Sequence, residues 1–301
     1  MEWRKTISDF LDYMQNERHA SANTVMAYRN DLTQFADHLS ATLPEDATWS
    51  GVTVETLGTF VDKLAEQKYT ASTSARKIAA LKTLFHWMMQ RGIVSEDPAA
   101  QLRSPKVEKR SPRLLSEDEM LRLFEATARV PTPRGLRDRA LLEVIYSTGM
   151  RVSEAISLRL SDIDLDASTV KCAGRGTRQR IAPLTPQAAT AVRIYMETAR
   201  TDMLGTANTD YVFLNPLGTK LTRQAVWQLT RQYANLAGIE GELTPHTLRH
   251  SRAAHMLNEG QDIKRVQEWL GHANLATTQM YRQKPRDHTT TLVPVQTQPT
   301  L

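Results

Sequence analysis

Apolar residues recur at three- and four-residue steps through the first hundred positions. In SANTVMAYRNDLTQFADHLS, Val25, Tyr28, Leu32, Phe35 and Leu39 form one stripe. That period predicts an amphipathic helix with Ser21 or Asn23 as its N-cap. Ile78, Leu81, Phe85 and Met88 form a second stripe ending near Gly92, and shorter helices fit 2–17 and 53–68. Such stripes are core-forming faces, so His19, His38 and His86 in these helices are given no functional role. The stretch DPAAQLRSPKVEKRSPRLLSEDEM then breaks the pattern with three prolines and a Lys/Arg cluster. It predicts an exposed linker over 104–114, between a helical domain over 1–103 and a second domain over 115–290. Ser116 and Glu119 have capping-box spacing and open the second domain, which is expected to be helical through Ile145. ASTVKCAGRGTRQRIAPL, over 167–184, reads as a β-hairpin with a glycine- and arginine-rich turn. Thr185 and Pro186 start another helix, YVFL at 211–214 is expected to be a short strand, and the chain reads as helical from Thr222 to about 283. The Thr/Pro-rich end, over 291–301, reads as a flexible tail, and no internal repeat is evident. The fold class expected is mainly α with a small β-sheet.

Composition narrows the picture. A chain of 301 residues with 41% hydrophobic content has room for two domains and a sizeable core. No run approaches the roughly 18 apolar residues of a transmembrane helix, so no membrane partner is expected. The start, MEWRKTISDF, lacks the apolar stretch of a signal peptide. Cys172 is the sole cysteine, which removes internal disulfides and cysteine zinc clusters. These features fit a cytoplasmic protein. The net charge of +5 is uneven: residues 1–107 carry 12 Lys and Arg against 13 Asp and Glu, and residues 108–301 carry 26 against 20. A basic second half suits a polyanionic partner, with a generic basic surface as the bland alternative.

Candidate chemistry concentrates in TPHTLRH, residues 244–250. His246 and His250 have the i, i+4 spacing of a zincin helix, but Thr247 stands where the required Glu would be. Arg249 would set a fixed positive charge against a dication, so no metal is expected. A phosphate fits better. Thr244 is a good N-cap and Pro245 suits the first helical position. His246 and Arg249 then share one face of the first turn, where free N–H groups attract anions and a guanidinium fork matches phosphate oxygens. An ordinary structural helix start remains the alternative for this stretch alone.

Two further fragments carry the argument. STGMRVSEAISLRLSDID places Arg151 after a Thr-Gly turn, with Glu154 one turn later to orient it. VQEWLGHANLATTQMYRQ ends a helix at Gly271, presents His272, and starts another carrying Tyr281. Arg, HxxR, LGH and a Tyr nine residues on, in that order, closely resemble the tyrosine recombinase (integrase) family and, within it, the Xer-type recombinases. The resemblance covers almost the whole chain and is strongest over 146–164 and 243–283.

The resemblance implies an N-terminal helical core-binding (SAM-like) domain and a mixed α/β catalytic domain clamping double-stranded DNA. It implies that Arg151 and Arg249 grip one phosphate, that His246 and His272 hydrogen-bond it, with His246 accepting the nucleophile's proton, and that Tyr281 attacks phosphorus. Two arginines can replace a metal in such chemistry, so no cofactor is implied. Glu154 and His250 would support these groups from behind, and His255 reads as structural. The family usually carries a lysine general acid in a GKG-like turn. This chain has GRG, so Arg175 stands there, and arginine hardly releases a proton. Lys171 is a candidate substitute acid, while Arg175, Arg178 and Arg180 could instead simply contact DNA backbone. Arg252 stands where the family commonly has an aromatic residue.

The implied reaction is site-specific strand exchange at a DNA recombination site, through a 3′-phosphotyrosine and a Holliday junction. Four protomers would act on two sites, as a homo- or hetero-tetramer with a second recombinase, under a septal DNA translocase, in chromosome or plasmid dimer resolution. The rivals are a mobile-element integrase, a type IB topoisomerase, a catalytically weak DNA-binding protein and a zinc hydrolase.

Overall fold

The computed structural model describes residues 2–107, 113–173, 179–271 and 278–281. The chain divides into two compact units, residues 1–110 and 111–301. The expected linker lies partly, and the expected tail wholly, outside the described residues. No helix among the described residues is long and apolar enough to cross a membrane.

Among the described residues, the first unit holds four α-helices, α1 (Glu2–Asn16), α2 (Ala22–Thr42), α3 (Val54–Glu66) and α4 (Ala71–Gln90). Ser21 is the N-cap of α2, its hydroxyl accepting the Thr24 N–H at 3.2 Å. Both predicted stripes point inward: Leu32, Phe35, Leu39, Leu81, Phe85 and Met88 are buried in one core. A charge is buried with them. Asp31 lies between Arg76 and Lys77, with Lys77 Nζ at 2.9 Å, so the pairing ties α2 to α4.

In the second unit, α5 (Glu117–Ala128) opens with the expected capping box. Glu119 N–H donates to Ser116 Oγ at 3.1 Å, and Ser116 N–H donates to Glu119 Oε2 at 2.9 Å. The central helix is α6 (Pro133–Thr148), apolar or buried on nearly every face and packed against α5, α8 (Pro186–Thr198) and α11 (Pro245–Asn258). It ends at Gly149, whose φ of +57° is a left-handed conformation suited to glycine. A side chain at Gly149 would also run into the Trp269 ring. The short α7 (Val152–Ala155) follows, then an antiparallel sheet in the order β1 (Ile163–Asp164), β2 (Thr169–Ala173), β3 (Gln179–Pro183). The remaining helices are α9 (Arg200–Leu204), α10 (Arg223–Leu236) and α12 (Ile263–Leu270).

The structure departs from the expected elements in three places. The predicted hairpin gains a third strand, β1, too short to show alternation. Residues 211–214 form isolated bridges, Tyr211 with Arg159 and Leu214 with Lys220, instead of a strand. The helical run from Thr222 is broken by left-handed glycines at Gly238, Gly241 and Gly260.

The chain entering the second unit is fastened to α11. Leu115 N–H donates to Ser251 Oγ at 2.8 Å. His255 Nε2–H donates to the Leu115 carbonyl at 2.8 Å, which leaves Nδ1 to accept the Tyr146 hydroxyl at 2.8 Å. His255 is therefore fully engaged in holding structure.

Helix α6 also buries Glu143, 4% exposed. Burial pushes its carboxyl up to about 7, against the nearby charge of Arg139. In the unfolded chain this carboxyl ionises near 4.5. Stability from it is therefore complete below pH 4.5 and is lost as pH rises through 7. Glu143→Gln is expected to stabilise the protein at pH 8 by up to about 3 kcal/mol more than at pH 4.5. Chemical denaturation of both proteins at the two pH values measures this. An equal change at both would contradict a raised Glu143.

Candidate active site

The C-terminal ends of two helices, the start of a third and one strand edge build the site. Arg151 is the N-cap of α7, directly beyond the Gly149 turn. Its backbone N–H donates to Glu154 Oε2 at 2.9 Å and its Nη1 to Glu154 Oε1 at 2.8 Å. The carboxylate thus caps α7 and fixes the guanidinium with one side chain. The Arg151 side chain is 32% exposed and that of Glu154 10%, so the cation faces outward from a buried anchor.

Arg249 lies in the first turn of α11 and is 3% exposed. Its guanidinium donates to the Gly149 carbonyl and, at 2.6 Å, to the Leu270 carbonyl. Gly149 and Gly271 end α6 and α12 in left-handed caps. Arg249 therefore sits between the negative ends of two helices, which favours a cation there. Burial, followed by the charge of Arg151, lowers it to about 10, with Glu154 opposing. It stays protonated at neutral pH.

Pro245 and a Thr244–Thr247 contact set the start of α11, with Thr244 N–H donating to Thr247 Oγ1 at 3.2 Å. Thr247, where a zincin would need Glu, is thus a buried capping partner. His246 lies on the surface of this turn. Partial desolvation, then the charges of Arg249 and Arg151, lowers its pKa. A neutral imidazole can accept a proton, which is what a base beside two cations requires. The His246 and His250 rings stack at 6.2 Å between centroids, and His250 lies 5.0 Å from the Tyr281 ring. Burial, then His246 and Arg249, lowers His250 to about 4. Among the described residues, no group of three His, Cys, Asp or Glu is placed to hold a metal.

Tyr281 is 2% exposed and packs with Ala253, Ala254, Val266 and Leu270 from α11 and α12. Burial raises its pKa, while the charges of Arg249 and Arg151 pull the other way. The phenol is therefore held protonated, close enough to both arginines to feel their charge.

The structure brings together Arg151, Glu154, His246, Arg249, His250 and Tyr281. Arg175, Arg178 and His272 lie outside the described residues. Lys171 does not join the cluster. It alternates with the buried Val170 and Cys172, and pairs with Ile181 on the exposed face of the sheet. Arg180 does join it. It pairs with Cys172 on the inner face, and its Nη2 lies 3.4 Å from Glu154 Oε2. Arg180, for which a DNA-backbone contact beside Arg175 and Arg178 is the alternative reading, turns its guanidinium toward Glu154. Its inward placement follows from the strand register, which the sequence alone leaves open. Arg252 also gains an account. Its guanidinium lies 5.6 Å from the centroid of the Tyr146 ring and pairs with Glu259 at 3.2 Å, so a neighbouring helix supplies the aromatic surface.

Chemically, the arrangement offers two fixed cations, a neutral base and a phenol, which suits attack of an oxygen on a phosphate diester. The phage integrase family model matches residues 113–288, and the model for the phage integrase N-terminal SAM-like domain matches residues 7–92. Tyrosine recombinase XerC of Roseiflexus sp. (strain RS-1) is 43% identical over 295 residues, covering 97% of this chain and 93% of the relative. Tyrosine recombinase XerD of Listeria monocytogenes serotype 4b (strain F2365) is 39% identical over 280 residues, covering 91% and 92%. Among solved structures, XerH site-specific recombinase bound to palindromic difH substrate, in a post-cleavage complex, matches with a TM-score of 0.73. That match has 22% identity and covers 92% of this chain and 80% of that chain, a likeness of fold.

Proposed function

This chain belongs to the tyrosine recombinase family, the phage integrase family, and from that premise we propose that it is a Xer-type recombinase resolving chromosome or plasmid dimers. As a family member it is an enzyme that cuts and rejoins DNA through a phosphotyrosine, by phosphoryl transfer without ATP. The finer role rests on the length and closeness of the likeness to XerC and XerD relatives, which spans both units. In the proposed setting, four protomers work in the cytoplasm on two recombination sites, with a second recombinase and a septal translocase as partners.

The residue roles are proposed on the placement of His246 and Tyr281 within reach of the same two charges, Arg151 and Arg249. Tyr281 Oη forms a bond to phosphorus and the bond from phosphorus to the 5′-oxygen breaks. His246 takes the phenolic proton. Arg151 and Arg249 hold the non-bridging oxygens and balance the charge that grows on them. Glu154 fixes Arg151, and His250 packs against both His246 and Tyr281. His272 is assigned to the phosphate and Arg175 to the leaving 5′-oxygen by family likeness alone; a guanidinium hardly releases a proton, so that oxygen takes its proton from water and departs as the 5′-hydroxyl. The 5′-hydroxyl of the partner duplex then attacks the phosphotyrosine, which conserves the bond energy.

A nicked suicide duplex carrying the host's recombination site tests the reaction. A covalent protein–DNA adduct is expected to accumulate, and to do so equally in excess EDTA, because guanidinium groups supply the positive charge. Activity lost in EDTA and restored by zinc would return the His246 and His250 pair to a metal role. Relaxation of supercoiled DNA without exchange would indicate a type IB topoisomerase.

A further inference from the structure

We propose that Arg180 is a third arginine of this active site, a positioning residue that holds the Glu154 carboxylate and, through it, Arg151. The proposal rests on the recombinase reading of the site.

Glu154 receives three donors. Arg151 supplies Nη1 at 2.8 Å and its backbone N–H at 2.9 Å, and Arg180 supplies Nη2 at 3.4 Å. Both residues of the added pair are sheltered, with side-chain exposures of 16% for Arg180 and 10% for Glu154. The strand register explains why Arg180 reaches inward. It stands opposite Cys172, on the face that also buries Val170 and Ala182, while Ile181 beside it is 69% exposed. That inner face is otherwise apolar. A guanidinium there carries a desolvation cost, and its Nε is buried without a hydrogen-bond partner. An aliphatic side chain would suit this position better if packing were its whole purpose. The carboxylate of Glu154 is what the position gains.

The electrostatic benefit follows from counting charges. With Arg151 alone, Glu154 would form a one-to-one ion pair and cancel much of the positive potential offered to a phosphate. With Arg180 sharing the carboxylate, Arg151 keeps more of its charge while staying fixed in place. Arg180 and Arg151 also both act on Arg249 through their charges. Three arginines and one glutamate leave two positive charges uncancelled, the number the proposed phosphate clamp uses. Arg180 further ties β3 to α7.

The test combines cleavage, binding and a double-mutant cycle on the full chain. Arg180→Gln is expected to slow adduct formation on the suicide duplex by about 10- to 100-fold while the dissociation constant for the same duplex changes less than about threefold. Arg180→Lys restores the charge and should recover cleavage to within about fivefold of the parent protein. In a Glu154→Gln background, Arg180→Gln should cost less than about threefold, because the group it positions is already altered. The proposal is overturned if Arg180→Gln cleaves within twofold of the parent, if binding weakens in parallel with cleavage as for a DNA-backbone contact, or if the loss is equally large in the Glu154→Gln background. If Arg180→Gln fails to fold, Arg180→Lys carries the test, and a Lys variant that folds yet loses as much activity as Glu154→Gln overturns it. A parent protein that forms no adduct removes the recombinase reading and this proposal together. A parent that forms one, with Arg180→Gln unimpaired, removes this proposal alone.

Discussion

Tyr281→Phe is expected to abolish the covalent adduct and leave duplex binding unchanged. The substitution removes one oxygen and keeps the ring that packs among Ala253, Ala254, Val266 and Leu270, with His250 at 5.0 Å. Catalytically the loss is total, because a phenyl ring has no nucleophile, and water attacking in its place would leave no protein attached to DNA. Denaturing gels of the suicide-substrate reaction report the adduct, and mobility shifts report binding. An alkali-stable tyrosine adduct formed by Tyr281→Phe would show that the nucleophile is another residue.

Arg151→Ala and Arg249→Ala are each expected to slow cleavage by at least about 100- to 1000-fold, as removal of a charge contact to a transition state commonly does. Their effects on folding should differ sharply. Arg249 is buried and bonded to the Gly149 and Leu270 carbonyls, so truncation orphans two acceptors. Each unsatisfied group costs about 1–3 kcal/mol, and the melting temperature should fall accordingly. Arg151 is a third exposed, and its removal leaves Glu154 paired with Arg180, so melting should hardly move. Single-turnover cleavage and thermal unfolding separate the two effects. A loss of less than tenfold in cleavage for either variant would remove the phosphate clamp.

Local signals were legible along the chain, and distant ones were not. The stripes through Leu32 and Leu81, the Ser116–Glu119 box and the Pro245 helix start are all encoded within a few residues, and each forms as read. The grouping of Arg151, His246, Arg249 and Tyr281 was legible through their order and spacing, which reproduce a known family pattern. The clasp on Arg249 was not, since its acceptors lie 100 and 21 residues away and are backbone carbonyls of residues with no distinguishing side chain. Arg180 resembled the other hairpin arginines until the pairing with Cys172 fixed which face it takes. Glu143 carries no sequence signal of burial, because α6 is enclosed on nearly all sides and lacks the amphipathic period that marks a buried face.

The two carbonyls around Arg249 set a schedule for the appearance of activity. Gly149 is synthesised well before Arg249, and Leu270 after it, so the guanidinium has only half its clasp while the chain is still emerging. Tyr281 arrives later still. A chain that has reached Arg249 but not Leu270 lacks the second carbonyl of that clasp and the tyrosine as well, and so the means to form the adduct. For an enzyme that opens DNA strands, the nucleophile is added only after the groups that steer it.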